Sequence, residues 1–523
     1  MSYNKEELTG PFWAEFPLAA SGRDPLAIQN SSVVIYTKMM VGITNVTNRV
    51  RYNGFYCWLL ELILRNSEIK GSVNEQIRYL RRAELLIAYM MVSEFPDVTG
   101  VSGSAFASRR LQENIDLAAG ADIEPKKGGN LYWAFRGGVF GQYYSGVVNE
   151  LGLIHQPSPL LNIYSLTPKG KQLSRHFQAN LPSGLADKFW SYLEKGNLGV
   201  SDLAELTPFA LHDIPDSQEL YFYRSMLLDK DDQGFIPSFY RKETIHLLLE
   251  TLSKSQDGKL NLVYRFLGEN YRQHISKIPL LKKASTFWYI YELNEILHVT
   301  LEHFHASLLW SIDSQPTSLN THLEKLSDLS AQAFKDFGFE SKETLLTELM
   351  GHCNEIMLDT YHAYNQMQTA MNDYDFGRCL MEALFCMTCV YRDCHLQLDG
   401  IENLASLPEY NFNRTGYVVL LLRELFTDQM NQSLDHVIKK LLHTVINLHV
   451  FTSYRKSKVG QALVHNYIIE EGMIWRARET APRRTTPRLQ NTLQYMGDVG
   501  WISRANDSYL ITASGKEVLL HGN

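Results

Sequence analysis

Glu295, His298, Glu302 and His305 recur at i, i+3, i+7 and i+10, a spacing that lines carboxylates and imidazoles along one side of a helix. Glu-x-x-His pairs on facing helices hold di-iron sites, and Glu243-Thr-Ile-His246 is a further match. This stripe lies opposite the apolar one of the same segment, so the expectation is a solvated polar face and no metal. Cys386-Met-Thr-Cys389, with Cys379, Cys394 and His395 nearby, offers zinc-ligand types. Its surroundings, Leu384-Phe385 and Val390, read as one buried helix without a knuckle glycine, so core thiols are the better account. Pro96-Asp97 and Glu124-Pro125-Lys126 carry the carboxylates and lysine with which metal-dependent nucleases hold Mg²⁺ and orient water. Such enzymes set them on paired strands, and Pro125 does not suit a central strand. No Gly-x-x-x-x-Gly-Lys-Ser/Thr loop is present, which argues against a P-loop ATPase. The expectation is a protein that binds rather than catalyses, with no cofactor. A metal-dependent nuclease is the remote alternative.

The second kind of chemistry is cationic. The net charge of −7 disfavours a polyanion partner, but its distribution does not. Between 126 and 176, Lys126, Lys127, Arg136, Lys169, Lys171 and Arg175 face Glu150 alone. Near the C-terminus, Arg476, Arg478, Arg483 and Arg484 gather around Trp475, with Arg455, Lys456 and Lys458 ahead of them. Clustered cations neutralise phosphates. Gln490, Asn491 and Gln494, with Arg488, add side chains able to bond phosphates and base edges.

Two similar pieces would position these groups. Leu151-Gly-Leu-Ile154 is followed by Tyr164-Ser-Leu-Thr-Pro-Lys-Gly-Lys-Gln-Leu173; Val499-Gly-Trp-Ile502 is followed by Tyr509-Leu-Ile-Thr-Ala-Ser-Gly-Lys-Glu-Val518. Tyr, Thr, Gly and Lys recur at the same offsets. In each, a glycine (Gly152, Gly500) ends a helix. Two short apolar strands follow across a polar turn, at 157–159 and 506–508. Thr167 or Thr512 then caps the next helix. Helix, hairpin, helix is the wing end of a winged helix-turn-helix, and each piece resembles the bacterial winged-helix superfamily. That resemblance makes 487–499 a recognition helix, with Leu489, Leu493 and Met496 inward and Arg488, Gln490, Asn491 and Gln494 outward. The first counterpart, 139–151, offers Gln142, Tyr143, Tyr144, Ser145 and Asn149, which suit a protein partner as well as DNA.

Between the two pieces lies a helical body. Amphipathic segments are expected at 217–230, 241–254, 259–274, 284–311, 317–336, 341–368, 374–398, 414–427 and 431–450, after helices near 53–64 and 76–94. In 284–311, Leu293, Leu297, Leu301, Phe304 and Leu308 keep a 3.6-residue period. Hydrophobic residues make up 45% and charged residues 20%, enough apolar material for a core. The fold expected is mostly α: a helical bundle body with two winged-helix units. Its domains would be an N-terminal cap over 1–100, a winged helix over 101–180, the body over 181–452 and a second winged helix over 453–523. Six cysteines in so long a chain do not make a disulfide framework. The polar start and the lack of a long apolar run point to a cytoplasmic protein without a membrane span.

A winged helix at each end of a helical middle resembles the layout of kleisin subunits, which bridge the heads of SMC ATPases. Arg23-Asp24-Pro25-Leu26, then Gly42-Ile-Thr-Asn-Val-Thr-Asn-Arg-Val-Arg-Tyr52 and Phe55-Tyr-Cys-Trp58, resembles proteins of bacterial defence islands. Together they are similar to the accessory subunit of SMC-containing anti-plasmid and anti-phage systems of the Lamassu kind. The resemblance implies a non-enzymatic adaptor between duplex DNA and an SMC-like ATPase or effector. A standalone transcription regulator, using the body for dimerisation or ligand sensing, is the alternative. The 42–58 run itself reads as an ordered cap over the first winged helix, or else as a partner or anion site.

Overall fold

The computed structural model describes residues 24–66, 72–122, 131–155, 164–228, 239–254, 262–275, 283–313, 315–339, 342–396, 422, 426–456, 465–505 and 508–521. Glu124, Pro125, Lys126, Lys127, Lys458, the turn tips at 157–159 and 506–507, and nearly all of the helix expected at 414–427 lie outside these residues.

In chain order the helices are α1 (Asn30–Met39), α2 (Tyr52–Arg65), α3 (Val73–Glu94), α4 (Ser104–Arg110), α5 (Leu117–Ala121), α6 (Ser145–Glu150), α7 (Pro168–Ala179), α8 (Leu185–Lys195), α9 (Gln218–Leu227), α10 (Phe239–Ser253), α11 (Leu262–Ile275), α12 (Lys283–Trp310), α13 (Leu319–Asp336), α14 (Leu346–Glu355), α15 (Thr360–Asn372), α16 (Phe376–Leu396), α17 (Leu434–Lys456), α18 (Leu489–Asp498) and α19 (Ala513–His521). Short strands are β1 (Asn114–Asp116), β2 (Asn197–Gly199), β3 (Thr317–Ser318), β4 (Tyr467–Glu470), β5 (Met473–Arg476), β6 (Ile502–Ala505) and β7 (Ser508–Ile511). The chain is thus mostly helical, as its periodicity predicts. The segment expected as one helix over 341–368 is two. Met357 takes a left-handed φ of 47°, and the Asp359 side chain accepts from Tyr361 N at 3.2 Å to start α15.

The chain falls into two compact units, not four consecutive segments. A body unit takes the described residues of Met1–Ile35, Gly268–Leu281 and Thr286–Thr485; a hairpin unit takes Tyr36–Leu267, Lys282–Ser285 and Thr486–Asn523. The stretch 453–523, expected as one domain, is therefore divided at 485.

In the hairpin unit, α2 is buried almost all round and packs on α7. Phe55, Trp58, Phe177, Phe189 and Phe209 form its aromatic centre, with Phe189 and Phe209 ring centroids 4.6 Å apart. Both similar pieces lie here. In the first, Ile154 bridges Leu166 antiparallel; in the second, β6 pairs β7 from Ile502↔Ile511 to Ala505↔Ser508. Thr167 Oγ1 accepts from Gly170 N at 3.0 Å, and Thr512 Oγ1 accepts from Gly515 N at 3.1 Å. Each hydroxyl also donates back to the glycine carbonyl of its own piece, Gly152 O at 2.7 Å and Gly500 O at 2.6 Å. The repeated letters thus encode one repeated set of bonds. The second piece is completed from far away in sequence: α10 packs on β7 and α19.

In the body unit, α16 packs against α13 and α15, and β3, β5 and β4 make a small antiparallel sheet in that order. Its central helix, α12, is buried on every side beyond its first turn, polar residues included.

Candidate nucleic-acid interface

Pro487 and Arg488, the latter left-handed at φ 61°, lead into α18. Leu489, Leu493 and Met496 are buried, as their spacing predicts. Asn491, Thr492, Tyr495 and Asp498 are buried as well, so more than one face of the helix is covered. The cover is the 42–51 run. Asn45 accepts from Arg488 N at 3.1 Å and donates to Thr486 O at 2.8 Å. Asn491 Nδ2 donates to Asn48 Oδ1 at 2.7 Å, and Asp498 accepts from Arg49 at 2.7 Å and from Val50 N at 3.1 Å. Burial pushes the Asp498 carboxyl up to about 6 even with Arg49 beside it. At the first piece, Glu150, which holds the place of Asp498, accepts from Gly42 N at 2.8 Å. The run expected to cap one piece therefore clasps both, through an acid in the last turn of each helix.

This corrects the expected recognition face. Asn491 is an internal contact and does not reach outward. Arg488 is half-buried, donates to Met40 O at 3.2 Å and stands 5.6 Å from the Tyr36 ring. Gln494 donates to Asp498 at 3.1 Å. Gln490 is exposed and donates to Tyr509 OH at 3.0 Å. At the first counterpart, Tyr144 is fully buried and Gln142 accepts from the Trp133 indole at 2.7 Å.

The arginine-rich stretch in the body unit is corrected likewise. The extended segment 480–485 lies along α12. Thr480 O accepts from the Trp310 indole at 3.0 Å, and Arg483 O is bonded to His298 Nε2 at 3.0 Å. Glu302 accepts from Arg483 N at 2.8 Å, and Glu295 accepts from Thr485 N at 2.8 Å and from its hydroxyl at 2.7 Å. The Arg484 guanidinium is paired with Glu292, 3.8 Å from Glu295 and 5.9 Å from the centre of the Tyr364 ring. Arg484 is thus a structural cation, not a phosphate contact. Arg483 keeps an exposed side chain, Arg476 pairs with the exposed Glu479 at 3.2 Å, and Arg478 is half-buried.

The Glu295–His305 stripe is therefore buried, not solvated. Its carboxylates are occupied by backbone N–H groups and arginine. Against the cost of burial, His298, Arg484 and Thr485 hold Glu295 down to about 2. Burial pulls His298 the other way, yet the Glu295 carboxylate lifts it to about 9. Among the described residues no group of three or more His, Cys, Asp or Glu is placed to hold a metal ion. The cysteines are all buried thiols, and burial pushes Cys379 and Cys386 up to about 12. Asp97 is exposed on a loop, not on a paired strand.

Two further cations remain outward on α7. Thr167 caps this helix with Pro168 at its first position. Leu173 and Phe177 turn inward, and Lys171 and Arg175, one turn apart, are exposed; Lys169 is half-buried. Arg175 borders a shallow groove of about 230 Å³ whose other edge includes Arg65 at the end of α2. Arg65 is 68% exposed and donates to Glu61 at 2.7 Å. Its membership was invisible in the sequence, because it depends on α2 lying against α7. Compared with protein-family models, with curated proteins and with solved structures, the chain matches none.

Proposed function

We propose that this protein is a non-enzymatic adaptor that contacts duplex DNA through the outer face of α7. Its two helix–hairpin–helix pieces are winged-helix units used mainly as internal packing elements. The observation that carries the reading is the exposure of Lys171 and Arg175 on one helical edge, with Arg65 across the adjoining groove. Cations one turn apart can follow successive phosphates without reading sequence. The covered α18 argues for backbone contact over base readout. The resemblance in layout to kleisin subunits supplies the second half of the proposal: the helical body carries an SMC-like ATPase or effector subunit of a defence complex.

The test is titration of a fluorescent duplex with the full chain and with the double variant K171E/R175E. Affinity should fall by at least about tenfold. The log–log salt dependence should shallow by nearly one for each phosphate no longer neutralised. Unchanged affinity and slope would overturn the assignment. Far-ultraviolet circular dichroism of the variant should match the parent, since both side chains lie outside the core.

A further inference from the structure

Residues 131–137 lead into the helical run 140–150 of the first similar piece. Tyr132 turns inward: it is buried, its N–H donates to Gly120 O at 3.0 Å, and its hydroxyl donates to Glu84. The wholly buried Arg81 donates to the carbonyls of Ala121 at 2.5 Å, Trp133 at 2.9 Å and Phe135 at 2.7 Å. One guanidinium thus pins the backbone of two aromatic residues whose rings stay at the surface. Phe135 is 47% exposed, and Trp133 and Tyr143 are half-buried. The Trp133 indole donates to Gln142 Oε1 at 2.7 Å, and its ring meets that of Tyr143 edge to face with centroids 5.7 Å apart. The Phe135 ring lies against Gly137 and Gly141, where a Cβ would come 3.3 and 3.2 Å from it. The two glycines therefore seat the ring.

The charge around these rings favours a polyanion. Arg136 is exposed and donates to Asn74 Oδ1 at 2.6 Å, a neutral partner that orients the guanidinium and leaves its charge uncancelled. Residues 131–155 and 164–179 carry Arg136, Lys169, Lys171 and Arg175 against one carboxylate, Glu150, which accepts from Gly42 N.

We propose that Trp133, Phe135 and Tyr143 form a platform on which bases of single-stranded nucleic acid stack, with Arg136 on the sugar–phosphate backbone. Every base has a π-face, so such a platform accepts any sequence. Gln142 has its carbonyl oxygen on the indole, which leaves its amide N–H groups as donors to a base edge or a phosphate. A protein partner would want more apolar area around the rings. The exposed neighbours are Ala134, Arg136 and Gln142, which supply little. This site extends the nucleic-acid contact proposed for α7 and rests on that reading, with duplex on α7 and unpaired bases on the platform.

The full chain is titrated against a fluorescent oligothymidylate of about twelve nucleotides, and separately against a duplex. The parent should bind both. Phe135→Leu keeps apolar bulk but removes the ring. It should weaken oligothymidylate binding at least about fivefold, the loss of one stacked base, and leave duplex affinity unchanged. Phe135→Tyr should bind as the parent does. Arg136→Ala should shallow the log–log salt dependence for the single strand by about 0.7, one phosphate. Both side chains are exposed, so the variants should keep the parent's circular dichroism. No binding of oligothymidylate by the parent would refute the platform. Equal binding by parent and Phe135→Leu would refute it too and leave the rings to a protein partner, and so would an equal loss on duplex. The K171E/R175E variant is read on duplex, so α7 and the platform can fail independently.

Discussion

Arg484 carries the clearest lesson at the scale of the residue. Side by side in the sequence, Arg483 and Arg484 look interchangeable as phosphate contacts. Arg483 keeps its side chain in solvent and contributes its backbone, while Arg484 neutralises Glu292 and Glu295 inside the body unit. Removing one partner of a buried ion pair leaves an uncompensated charge, at a cost of about 3–5 kcal/mol. Arg484→Ala should lower the unfolding free energy by that order in chemical denaturation, and Arg483→Ala should leave the midpoint unmoved. Equal effects from the two would contradict the lie of the 480–485 strap along α12. The same cluster sets a pH dependence. Glu295, held at about 2, stabilises the fold above its unfolded value of 4.5 and loses that contribution as pH falls toward 2. His298, raised to about 9, contributes fully below 6.5 and loses its contribution as pH climbs to 9. Thermal midpoints should therefore decline from pH 6.5 to 9, and Glu295→Gln should flatten that limb. A parent midpoint constant over the range would refute the coupling.

At the scale of the element, the two similar pieces show which repeated letters matter. Gly170 and Gly515 are conformationally ordinary helical glycines, but a Cβ on either would drive into a backbone carbonyl, Leu153 O or Trp501 O. Gly497, inside α18, has nothing within 4 Å of its would-be Cβ. Gly515→Ala should thus destabilise by about 1–3 kcal/mol through overpacking. Gly497→Ala should stabilise by up to about 1 kcal/mol through helix propensity. Thermal unfolding of the two variants checks the contrast, and shifts of the same sign would show that Gly515 is not seated against Trp501 O as described. The periods of α12, α16 and α17 were legible because apolar spacing is a local property. The break between α14 and α15 was not, since neither glycine nor proline marks it and the turn depends on a left-handed methionine and one aspartate cap.

On the scale of the whole molecule, composition and periodicity announced a helical protein but misplaced its boundaries. Linear reading made 453–523 a domain. Contacts assign β4, β5 and the strap to the body unit, and α18, β6, β7 and α19 to the hairpin unit. A chain ending at 452 would strip buried elements from both, including Tyr467, Ile474, Leu489 and Trp501. It should fail to show a cooperative thermal transition. A soluble 1–452 fragment that melts like the parent would restore the expected boundary.

What the sequence by itself determined is the local layer: which segments are helical, where Thr167 and Thr512 cap, and that the two pieces share one bond pattern. These follow from side-chain period and from bonds within a few residues. Only the tertiary structure decided which polar groups meet solvent. A stripe of Glu and His with helical spacing has the same letters whether it faces water or a strap of the same chain. Burial depends on partners some 190 positions away, as with Glu295 and Thr485, and no local pattern records them.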